Sequence, residues 1–89
     1  MKKQNEIVRM VIGNKVWEVS RKMVNATIEL AKEKYKKENV NAIVAVEKDG
    51  IISMQKDVFD NTDAFVKAVA NWERGGYRCY YISKKEEVK

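Results

Sequence analysis

Short apolar runs bounded by turn residues alternate along this chain with segments whose apolar residues recur at helical spacing. The runs read as β-hairpins and the periodic segments as helices. The stretch that organises the whole is Asn41–Gln55, NAIVAVEKDGIISMQ, where two β-rich runs meet across Asp49-Gly50 with a helical pattern on either side. A two-residue loop there sets Glu47 opposite Ile52 and mixes polar and apolar groups on both faces. A three-residue loop, Lys48-Asp49-Gly50, sets Val46 opposite Ile52 and Val44 opposite Met54, with Gly50 in the left-handed conformation that glycine tolerates. One face is then uniformly apolar, and this register is the one expected.

Ile7–Ser20 predicts a first hairpin turning at Gly13-Asn14, a pair suited to a two-residue primed turn. It pairs Met10 with Trp17 and Val8 with Val19 on one face, and Val11 with Val16 and Arg9 with Glu18 on the other. Ser20 is an N-cap for a helix running to about Glu38. Val24, Thr27, Ile28, Ala31 and Tyr35 form its stripe, Met23 and Leu30 flank it, and Asn39 closes it. After the central hairpin, Asp60 or Asn61 caps a second helix to about Arg74, with Phe65, Ala68, Val69 and Trp72 inward. Gly75-Gly76 stops that helix, and Tyr77–Ser83 follows as a final strand.

The order β-β-α-β-β-α-β predicts an α+β domain: a two-layer sandwich, with a five-stranded, mainly antiparallel sheet carrying both helices on one face. At 89 residues the chain reads as a single domain, 1–89, with Met1–Asn5 and Lys84–Lys89 as solvated tails. A formal charge of +5 suits an anionic partner, and also serves simple solubility. One cysteine, no apolar run long enough to span a bilayer and no signal peptide lead to a cytoplasmic expectation.

Candidate chemistry is sparse. The sequence has no histidine, hence no imidazole base and no histidine-ligated metal. Cys79 reads as a buried structural thiol, and Asp57, Asp60 and Asp63 read as helix-capping carboxylates rather than a calcium loop. No enzyme activity, cofactor or metal is expected. Arg21-Lys22 stands out, because two cations occupy a helix N-terminus that is already positive. Such a place could seat a phosphate or carboxylate.

With both helices on the face of Val8, Met10, Trp17, Val19, Val44, Val46, Ile52 and Met54, the reverse face is apolar beyond what a solvated sheet needs. Placing Cys79 and Tyr81 inward sends Arg78, Tyr80 and Ile82 to that reverse face. The expected interface is therefore Ile7, Val11, Val16, Ile43, Ile51, Tyr80 and Ile82, with Arg9, Arg21, Lys22 and Arg78 as anion- or partner-binding residues. The functional expectation is a small binding protein that self-associates, as a twofold dimer, through this open face and sequesters or inhibits a protein or anionic partner. The short, lysine-rich chain is of a kind common among accessory proteins of phages and other mobile elements, which would make that partner a host molecule. The alternative is a nucleic-acid binder without sequence preference, using Tyr80 and Arg78 on the sheet surface.

Overall fold

The structure, a computed structural model, describes residues 6–85. The tail expected at Met1–Asn5 and the last four residues of the tail expected at Lys84–Lys89 lie outside the described residues. Strands β1 (Ile7–Ile12), β2 (Lys15–Ser20), β3 (Asn41–Lys48), β4 (Ile51–Phe59) and β5 (Arg78–Ile82) form one sheet, and the helices are α1 (Arg21–Glu38) and α2 (Thr62–Arg74). The α+β class, the element order and the mainly antiparallel five-stranded sheet are those read from the sequence. Strand order is β2-β1-β4-β3-β5, and β1 runs parallel to β4.

The local signals act where the sequence puts them. Ser20 Oγ accepts the amide of Met23, and Asn39 closes α1 at a left-handed φ of 54°. Asn61 Oδ1 accepts the amide of Ala64, so asparagine rather than aspartate caps α2, with Asp63 in its first turn. The first hairpin has the two-residue loop and the full expected register, from Ile7 opposite Ser20 to Ile12 opposite Lys15.

The central hairpin does not take the expected three-residue loop. Its loop is Asp49-Gly50, with Lys48 opposite Ile51 and Glu47 opposite Ile52. Asp49 and Gly50 both have positive φ, 56° and 78°, which suits a primed two-residue turn whose twist matches the flanking strands. The mixed pairs that argued against this register, Glu47 with Ile52 and Val46 with Ser53, are both present, and further along an irregularity between Ile43 and Ala45 shifts β3 against both β4 and β5. Val44 and Ala45 thereby face α1 together, and Ile43 and Val46 face α2.

That division corrects the placement of the helices. Val24, Ile28 and Tyr35 of α1 pack with Val8, Met10, Ala42, Val44, Ala45 and Ile52. Phe65 of α2, with Ala68, Val69 and Trp72, packs with Ile43, Val46 and Phe59. Alternate residues of the same strand serve different helices, so α1 and α2 lie on opposite faces of the sheet. Topology supplies the reason. The pairings make β2 parallel to β3 and β4 parallel to β5, with the two sets running in opposite directions. Both crossovers, β2-α1-β3 and β4-α2-β5, step across the sheet the same way. Right-handed crossovers between such oppositely directed sets place their helices on opposite faces. β3 is therefore buried on both sides, from Asn41 through Val46. Burying each of Ile43, Val44 and Val46 contributes about 1.5–3 kcal/mol. Among the described residues, no helix is long and apolar enough to cross a membrane.

Candidate functional site

The residues singled out from sequence separate into two places. On the sheet face that carries α2, the helix covers β3, β5 and part of β4, and stops short of β1 and β2. Ile7, Val16 and Ile51 are there 63%, 61% and 43% exposed, with Val11 half-buried among them. Arg9 stands in the same patch, opposite Glu18 on β2 and Ile51 on β4. Ile43 drops out of this surface: it is fully buried beneath α2. Tyr80 and Ile82 drop out as well, because they point to the α1 side and pack against its core.

The second place is an open groove of about 410 Å3 on the α1 side, lined by Arg21, Asn25, Glu47, Lys48, Arg78 and Tyr80 among others. The Arg21 guanidinium donates to both oxygens of Glu47, Nη1 to Oε1 at 2.9 Å and Nη2 to Oε2 at 2.6 Å. The Tyr80 hydroxyl donates to Glu47 Oε1 at 2.8 Å. Arg21's hydrogen bonds hold the Glu47 carboxyl below its usual range, outweighing the burial that works the other way. The same bonds raise Arg21 above its ordinary value. Burial, and then the bond to Glu47, push the Tyr80 phenol up. At neutral pH the cluster is a charged carboxylate with three satisfied donors, joining the first turn of α1 to the end of β3 and to β5.

The unusual cation at the start of α1 thus has a protein partner, and the anion-seat reading of Arg21 gives way to an internal tie. Lys22 beside it is exposed. Arg78, also exposed, lies over the Tyr80 ring, with its Cζ 4.9 Å from the centroid. Lys48 Nζ donates to the Gly75 carbonyl at 2.9 Å and lies 5.2 Å from the centroid of Tyr77, tying the end of β3 to the C-terminus of α2. Cys79 points to the α2 side, where burial and the Glu73 charge push its thiol up to about 11. It is protonated at neutral pH.

Two features escaped the sequence reading. The pairing of Glu47 with Arg21 is one, since nothing local connects the two residues. Trp17, expected in the interior beneath the helices, is 50% exposed. Its face was correct, but β2 ends the sheet and α1 does not extend over it at that position. Met23 and Leu30, expected at the flank of the α1 stripe, are exposed too.

No protein-family model matches the chain, and neither the curated proteins nor the solved structures yield a match.

Proposed function

We propose that this chain is a non-catalytic binding protein that self-associates through its outer hairpin and acts by sequestering or inhibiting a protein or anionic partner. The observation that supports this reading is the clustering of exposed apolar side chains, Ile7, Val11, Val16 and Ile51 on one face and Trp17 on the other, at the end of the sheet that α2 leaves open. A contiguous apolar surface of this kind on a small monomer usually marks a contact with another protein. Elsewhere among the described residues the helices cover the middle of the sheet, Val24 and Ile28 of α1 on one face and Phe65, Val69 and Trp72 of α2 on the other.

Sedimentation equilibrium at tens of micromolar should give a mass above that of one chain. Amide exchange compared at high and low protein concentration should show added protection within Ile7–Ser20. A monomer, or concentration-dependent protection confined to α2 and β5, would overturn the proposal.

Nucleic-acid binding is the second reading, and the stack of Arg78 on Tyr80 beside the open groove favours it. Glu47 and Asp49 line the same groove and oppose a phosphate backbone. Fluorescence polarisation with labelled oligonucleotides should therefore find only weak, salt-sensitive binding without sequence preference. Tight binding that discriminates among sequences would place this reading first.

A further inference from the structure

We infer that the partner seated on the outer hairpin is a second copy of this chain, joined edge to edge so that β2 pairs antiparallel with β2 of that copy, centred on Trp17. The inference rests on the self-association proposed above and specifies its geometry. Among the described residues β2 ends the sheet and pairs only with β1. The direction of its free backbone groups follows from the neighbouring bonds. Arg9 donates its amide to the Gly50 carbonyl at 3.1 Å, toward β4, and Arg21 donates to Glu6 at 2.7 Å, across the hairpin. Odd-numbered residues of β1 thus bond away from β2, and even-numbered ones bond to Lys15, Trp17 and Val19. The N–H and C=O of Val16 and Glu18 are left pointing outward along the edge.

Natural sheets blunt such an edge with proline, a bulge, a covering helix or charged side chains, and of these β2 has Lys15 at its start and Glu18, which is opposite Arg9. The chain contains no proline, and β2 keeps an unbroken register. The opposite edge, β5, is shorter and lies against the irregular part of β3. β2 is the edge open to pairing.

Symmetry and chemistry then choose the register. A twofold perpendicular to the sheet keeps like faces together, so directly opposed residues must have the same parity. Centring on Glu18 opposes two identical carboxylates and runs the pairing into Ser20, the cap of α1. Centring on Val16 leaves little of the strand overlapped. Centring on Trp17 opposes Val16 with Glu18 of the second copy, and these are the residues whose backbone groups point outward. Trp17 then meets Trp17 of the second copy at a non-hydrogen-bonded position, where side chains approach most closely. The row Met10–Trp17 continues into the same row of the other chain, while Glu18 keeps Arg9 as its cross-strand neighbour. A face-to-face contact would cover Ile7, Val11 and Val16 but leave Trp17 in water on the other side. Edge joining covers the seam on both faces.

Three measurements on the full chain test this. In the wild type, the amides of Val16 and Glu18 should slow their exchange as concentration rises, while that of Trp17, bonded to β1, should not. Trp17→Lys, which opposes two ammonium groups at the symmetry axis, should raise the dissociation constant at least about tenfold. Leu30→Lys with Val66→Lys, which charges an exposed position on each helix but spares the edge, should leave the dimer intact. A dimer whose Val16 and Glu18 amides exchange freely, or that survives Trp17→Lys, or that the double lysine variant splits, overturns edge pairing and leaves self-association standing. A wild-type monomer overturns both. Should a variant fail to fold, the wild-type amide pattern decides alone.

Discussion

Glu47→Gln removes one charge from the junction of α1, β3 and β5 while nearly preserving its shape. The wild-type carboxylate accepts two hydrogen bonds from Arg21, at 2.9 and 2.6 Å, and one from Tyr80 at 2.8 Å. Exposed ion pairs contribute about 0–1 kcal/mol, and cutting a fully buried one costs about 3–5 kcal/mol. The Arg21 and Glu47 side chains, 17% and 15% exposed, lie between these limits. Without its partner, Arg21 can swing from the first turn of α1 into solvent, which softens the loss. It remains at the positive end of the helix dipole, which adds about half a kcal/mol. The expected loss is about 2 kcal/mol, seen as a drop of about 10 °C in Tm for a domain of this size.

Urea denaturation of the wild type, Glu47→Gln, Arg21→Met and the double variant closes a cycle, whose coupling should be at least about 1 kcal/mol at pH 7. The pH dependence has a definite sign. Glu47 is depressed from its ordinary value of 4.5, so the tie is fully present above that pH and is lost as pH falls through the lower folded-state value. A coupling below about 0.5 kcal/mol at neutral pH, or one that persists unchanged in acid, would refute the assignment of Arg21 to Glu47.

Gly50→Val should destabilise by at least about 1 kcal/mol, because Gly50 has φ 78° and a β-branched residue resists that region. A Cβ there meets no atom within 4 Å, so an unchanged denaturant midpoint would mean that the loop has a different conformation. Cys79 should react with a disulfide reagent at pH 8 about a hundredfold more slowly in the folded chain than in urea, given a thiol at about 11; equal rates would contradict its burial. Asn41 is buried and its Oδ1 accepts the Lys84 amide at 2.7 Å, so Asn41→Ala should cost about 1 kcal/mol and release that amide to fast exchange. Unaltered protection at Lys84 would show that the chain beyond β5 is held by other contacts.

Features set within a few residues of one another are readable from the sequence: the Ser20 cap, a cap for α2 at Asp60 or Asn61, the Asn39 closure, the Gly13-Asn14 turn, the stripes of α1 and α2, and the left-handed Gly50. Each is a short-range steric or hydrogen-bonding preference that acts before any tertiary contact forms. The α+β class followed, since it needs only the order of elements. The register of the central hairpin is not legible in the sequence, because β3 is buried on both faces. A strand buried on both sides reads as the continuous run Ala42–Val46, which carries no alternation from which to fix parity. The shift between Ile43 and Ala45, the strand order and the division of the helices between faces depend on which strands meet. The candidate surface was legible in the same proportion. Ile7, Val11 and Val16 emerged because their exposure follows from one hairpin register. Ile43 and Ile82 were misplaced, and the Arg21–Glu47 tie, spanning 26 positions, was invisible, because burial and pairing at that range are decided only when the crossovers bring distant segments together.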